Sequence, residues 1–107
     1  MALPRMTHLQ FLVVSELLRG TVRGRDLRER LTTFDVRQSS PAFYQMMAVL
    51  EDRGFVSGWY EQQVVDGQII RERHYKALPG GRAAWKSCRD FYARAIGLNR
   101  RGLAHDG

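Results

Sequence analysis

The chain has 107 residues, 44% hydrophobic and 26% charged, which fits one domain with a modest core and excludes a generally disordered chain. Its net charge is +6, a sign that favours a polyanionic partner. Of the 17 basic residues 15 are arginine; the bias either serves phosphate and guanine recognition or reflects a GC-rich genome.

Cys88 is the only cysteine, so no internal disulfide forms and a reducing cytoplasm is expected. The apolar stretch Phe11–Val14 is far too short to span a bilayer, and the N-terminus lacks a signal-peptide pattern. A soluble, cytoplasmic protein is the expectation.

Thr7 is placed to cap a first helix whose Leu9, Leu12, Val13 and Leu17 share one face, with Gly20 as its end. A turn over 21–24 leads to a short second helix, Arg25 to about Leu31, anchored by Leu27 and Leu31. The polar connection 32–39 offers Phe34 and Val36 as anchors. A third helix then opens at "SSPAF": Ser40 is expected to accept an orphan N–H, and Pro41 to start the helix without losing a bond. Phe43, Met46, Met47 and Leu50 recur at helical spacing, and Gly54 is a left-handed cap.

Beyond Gly54 the pattern changes to strands. "FVSGWYEQQVV" and "QIIRERHYKAL" are rich in β-branched and aromatic residues and flank "VDGQ", a hairpin signal. A two-residue Asp66–Gly67 turn would set Glu61 opposite Glu72, an unfavourable like-charge pair. The expectation is therefore a three-residue loop that faces Glu61 with Arg71 or Arg73, with Gly67 at positive φ. A last helix, Gly81 to about Ile96, carries Trp85, Cys88, Tyr92 and Ala95 on one stripe. The tail over 98–107 has few apolar residues and is expected to fray.

Three helices, a β-hairpin and a further helix is the order of a winged helix-turn-helix: a mainly α fold with a small hairpin (α+β) and a C-terminal helix. In it the third helix enters the DNA major groove with its N-terminal residues at the base edges. Arg37, Gln38, Ser39, Ser40, Tyr44 and Gln45 offer hydrogen bonds there. Ser39 and Ser40 have the simpler role of caps, and Tyr44 that of packing. The wing, Val64 to Arg73, supplies Arg71 and Arg73 for phosphates or a minor groove, or else these two only solubilise an edge strand.

The sequence resembles the PadR-like winged-helix regulators from Thr7 to Trp85. The resemblance rests on "RGRDL", "SSPAFYQMMAVLEDRGFV" and "RERHYKALPGGR", where Tyr44, Leu50, Glu51, Gly54, Tyr75, Gly81 and Arg82 occupy typical positions. Leu78 departs from it, standing where the family places a capping threonine. The resemblance implies a homodimeric repressor of a palindromic operator, with a DNA-binding part over 1–78 and a dimerising helix over 79–97. The seam would be Trp85, Cys88, Tyr92 and Ala95, which otherwise serve as core within one chain. Some relatives also bind small-molecule effectors near the dimer interface.

Catalysis has little footing. His8, His74 and His105 are scattered, none has metal-ligand spacing with Cys88, and no phosphate-binding loop or nucleophile motif occurs. No cofactor and no metal are expected. The partners expected are double-stranded DNA and a second copy of the chain. The competing reading is a winged-helix module that docks a protein through the same helix and wing.

Overall fold

The computed structural model describes residues 4–97; the tail expected to fray lies outside them. Helix α1 (His8–Leu17) opens at a reciprocal pair. The Thr7 hydroxyl accepts the Gln10 N–H at 3.1 Å, and the Gln10 side chain accepts the Thr7 N–H at 3.1 Å. Two donors that a helix start leaves unbonded are thereby satisfied. The buried face is Gln10, Val13, Val14 and Leu17, whereas Leu9 and Leu12 are only half-buried. Helix α4 covers another side of α1, at His8, Phe11 and Ser15.

The segment expected as a turn contains strand β1 (Val22–Arg23), which pairs with Tyr75 and His74. Two residues are too few to show a strand period. Helix α2 (Gly24–Leu31) follows at once and buries Leu27 and Leu31. A single 3-10 turn (Thr32–Phe34) comes next and ends at Asp35, whose φ is 59°. The turn swings Phe34 outward to 50% exposure, so it is not the anchor expected; Val36 packs on the core.

Helix α3 (Ser40–Asp52) is capped one residue earlier than expected: the Ser39 hydroxyl accepts the Ala42 N–H at 3.3 Å, and Ser40 is already helical. Phe43, Met47 and Leu50 are fully buried and Met46 half-buried. At the other end Gly54 has φ 74°, and Phe55 N–H and Gly54 N–H return to the carbonyls of Leu50 and Glu51. Only a residue free of a Cβ clash adopts this left-handed stop cheaply.

Strands β2 (Val56–Val65) and β3 (Gln68–Ala77) form the hairpin, and the antiparallel sheet runs β1-β3-β2. Here the register expectation fails. Val65 pairs with Gln68 around a two-residue turn, and Glu61 stands opposite Glu72. Asp66 and Gly67 both have positive φ, 52° and 77°, the pair of conformations a type I′ turn requires and the one that matches strand twist. The like charges are drawn apart by different partners. Glu72 reaches Arg23 at 3.2 Å and Arg25 at 3.0 Å, while Glu61 turns to the Trp59 indole N–H at 3.0 Å.

Helix α4 (Pro79–Ala95) begins two residues before the expected start, with Pro79 in its first turn and no side-chain cap from Leu78. Gly81 lies so close to the Phe55 carbonyl oxygen that a Cβ would overlap it. The core collects Leu17, Leu27, Leu31, Phe43, Met47, Leu50, Tyr75 and Cys88 beneath the helices. Beyond Tyr60 every residue of the ribbon up to Arg71 is exposed, so the hairpin projects from the helical body.

Candidate nucleic-acid interface

The helix-turn-helix brings the polar end of α3 to the surface. Leu27 and Leu31 on α2 and Phe43, Met47 and Leu50 on α3 are buried in one core cluster, and the Arg28 guanidinium donates to the Gln38 carbonyl at 2.9 Å. That bond ties α2 to the residue preceding the α3 cap. Burying three α3 side chains on one stripe forces the opposite face outward. Ser40 and Gln45 are exposed on that face, Arg37 and Ser39 are exposed just before the helix, and Gln38 is half-buried with its side-chain oxygen enclosed and without a partner among the described residues.

Tyr44 takes a mixed position. It packs edge-on against Phe43 at 5.0 Å, and its ring and hydroxyl fill the space a Cβ at Gly24 would need. It thus holds the start of α2 to α3, and its outer edge lines an open groove of about 540 Å³ between these helices and the hairpin.

The two wing arginines, paired in the sequence reading, part company here. Arg71 is exposed and lies over the Tyr60 ring at 4.4 Å. Arg73 is half-buried: its guanidinium is 2.6 Å from the Glu51 carboxylate and also covers Tyr60 at 4.8 Å. Burial opposes the Arg73 charge, but the Tyr75 hydroxyl and Glu51 outweigh it and leave the guanidinium's pKa raised. Burial in turn pushes the Tyr75 phenol up to about 12. Gly58 lies beside this cluster; a Cβ there would meet Glu51 Oε1 at 2.5 Å and Tyr75 at 2.8 Å. Glu51 and Arg73 thereby fasten the wing's base to the C-terminal half of α3.

Sequence reasoning missed three members of this surface. Arg25 at the start of α2 is exposed on the groove wall and is held by Glu72. Tyr60 supplies the ring under both wing arginines. Glu51, counted in the sequence only as a position typical of the PadR-like pattern, is the partner of the arginine 22 residues later.

The stripe on α4 also has neighbours within the chain. The Trp85 indole N–H donates to the Ser15 hydroxyl at 2.6 Å and its ring stacks on Phe11 at 5.5 Å. Tyr92 stacks on His8 at 5.7 Å. Cys88 is 1% exposed, and burial raises its thiol pKa. Of the four expected seam residues, only Ala95 is freely exposed, next to exposed Ile96. Among the described residues no three His, Cys, Asp or Glu side chains gather as a metal site, and no helix is long and apolar enough to cross a membrane.

Three helices, a small antiparallel sheet with a projecting hairpin and a further helix against α1 make this a winged helix-turn-helix fold. Comparison of the sequence with family models and with curated proteins returns no match. Solved structures do match. A PadR family transcription regulator from Clostridium difficile R20291 aligns over 91% of this chain and 99% of its own at 13% identity, with a TM-score of 0.72. A PadR family regulator from Eggerthella lenta DSM 2243 aligns over 92% and 83% at 20% identity and TM-score 0.62. PadR of Bacillus subtilis, solved with operator DNA, aligns over 81% of this chain and 47% of its own, at 17% identity and TM-score 0.60. The fold is PadR-like.

Proposed function

We propose that the chain is a DNA-binding transcriptional regulator that reads a palindromic operator as a homodimeric repressor. The observation that carries the reading is the outward polar end of α3, where Arg37, Ser39, Ser40 and Gln45 are exposed beside an arginine-bearing wing. These side chains suit base edges and phosphates of one major groove. The Bacillus subtilis neighbour with operator DNA supports it from a related fold. In this reading residues 1–78 bind DNA, with Gln38, Tyr44 and Arg73 mainly shaping the surface and Arg71 reaching phosphate. Residues 79–97 supply the dimer contact.

Because Trp85 and Tyr92 pack on α1 within the chain and Cys88 is buried, the proposed seam lies further out. The pairing surface is the outer side of the α1–α4 layer, ending in Ala95 and Ile96. Two copies then present two reading helices about 34–36 Å apart. Selection of bound duplexes from random DNA with the full-length protein tests the reading, and a symmetric preferred site is the expected result. On that site Gln45→Ala should cost about 1–3 kcal/mol and little on random DNA. Failure to enrich any sequence, with an α3 variant binding all duplexes as the wild type does, would refute it.

A further inference from the structure

Helix α3 has no cation of its own. Its 13 residues include two acids and no lysine or arginine. Glu51 is turned to Arg73, which leaves Asp52 as the exposed charge, at the far end from the N-terminal turn. The outward side ahead of Asp52 is aliphatic: Pro41, Ala42, Ala48 and Val49 are all exposed, Val49 at 42%. Gln45 is the single hydrogen-bonding side chain among them. Helical spacing makes all four its neighbours, Ala42 and Pro41 three and four residues before it, Ala48 and Val49 three and four after it. One amide thus stands in a frame of small aliphatic side chains.

We propose that this face selects thymine-rich half-sites: Ala42 and Val49 close on thymine C5-methyl groups, and the Gln45 amide takes the edge of an adenine between them. The inference rests on the DNA-binding reading above and names the bases that its third helix selects. In the major groove thymine alone of the four bases presents a methyl group, and adenine offers the acceptor and donor pair that fits a side-chain amide. Guanine, whose two acceptors call for a cation, finds none on this helix. Charge supports the duplex as occupant. Arg37 just before the helix and Arg71 on the wing are exposed beside the uncharged strip, so cations meet phosphates at its rim while the bases face its centre. Size supports it too. Small side chains let the helix approach the bases closely, and from Pro41 to Val49 it rises about 12 Å, roughly three to four base steps. Asp52 repels phosphate and keeps the C-terminal end out of the groove. A protein partner is the weaker occupant, because protein interfaces are anchored by Trp, Tyr and Arg in pockets, and alanine and proline supply no such anchor.

The experiment uses the full-length protein and the preferred duplex selected from random DNA. Each thymine of a half-site is replaced in turn by uracil, which pairs identically and lacks only the methyl group. At two or more positions the wild type should lose about threefold to fourfold in affinity, the worth of one buried methyl. In the exposed double variant Ala42→Ser/Val49→Ser that sensitivity should vanish. Each adenine is likewise replaced by 7-deazaadenine, which removes only the N7 acceptor. One position should lose about threefold or more, and Gln45→Ala should abolish that loss. A preferred half-site without thymine, uracil that binds as thymine does throughout, or sensitivities that survive in the variants would overturn the thymine reading and leave the DNA-binding reading standing. A double variant that changes sedimentation but not duplex affinity would overturn it in favour of a protein contact. No binding to any duplex would overturn both.

Discussion

Glu51→Gln tests whether the wing is rigidly set by α3 or swings independently. The bond at stake joins a carboxylate and a guanidinium at 2.6 Å, with side-chain exposures of 25% and 24%. A fully exposed pair contributes at most about 1 kcal/mol, and a hydrogen bond to a charged group about 1.5–3 kcal/mol. At a quarter exposure the loss should lie between, about 1–2 kcal/mol, or a fall in Tm of roughly 5–15 °C for a domain of this size. Gly58→Ala should be at least as costly, since its methyl group would meet the buried Tyr75 ring at 2.8 Å and push Glu51 Oε1, at 2.5 Å, away from Arg73. Thermal unfolding followed by circular dichroism, in a double-mutant cycle of Glu51→Gln with Arg73→Gln, gives the coupling directly. Amide exchange over Tyr60–Gln63 should quicken in both single variants. A coupling below about 0.5 kcal/mol, with unchanged exchange in the ribbon, would refute the fastening.

Arg71→Ala and Glu51→Gln should separate contact from positioning: the first lowers the salt slope of duplex binding by about 0.9 per phosphate lost, while the second weakens binding without changing that slope. Arg73→Ala should follow Glu51→Gln if Arg73 is a brace and Arg71→Ala if it contacts phosphate, as titrations at several salt concentrations would read out. The Tyr75 phenol, buried and raised from 10.0 to about 12, stabilises the fold fully below pH 10 and less as pH climbs toward 12, because the unfolded chain ionises first. Chemical denaturation at pH 9 and pH 11.5 should reveal an extra loss of about 2 kcal/mol that Tyr75→Phe removes. Ile96→Asp should shift sedimentation toward monomer while leaving thermal stability within about 0.5 kcal/mol; an unchanged dimer would place the seam elsewhere.

How far the sequence discloses this molecule depends on the range of the forces involved. Local chemistry was legible: the Thr7 cap, the Gly54 stop and the Phe43–Met47–Leu50 stripe each follow from side chains within one or two turns. The winged-helix order followed from those elements in sequence. What escaped was set by partners distant in the chain. The hairpin register is the clearest instance. Repulsion between Glu61 and Glu72, taken alone, argues for a bulged loop, yet Glu72 is 49 residues from Arg23 and no local pattern announces that contact. Arg23 and Arg25 together supply two positive charges within 3.2 Å of one carboxylate, which removes the objection to the shorter turn. Once that objection is gone, the type I′ preference of Asp66–Gly67 decides the register.

The same two-body logic separates Arg71 from Arg73. In sequence they are equivalent basic residues on one strand face. In space one has an acid across the groove, and the other, among the described residues, has an aromatic ring beneath it and no acid partner. A guanidinium paired to Glu51 has its charge offset and one of its nitrogens committed to that carboxylate, whereas Arg71 over Tyr60 keeps its N–H groups able to donate in the ring plane while its face is stacked. Stacking thus orients a cation without neutralising it, and in the proposed function Arg71, placed between the fastened wing base and the apolar tip, is therefore the residue expected to meet the DNA backbone.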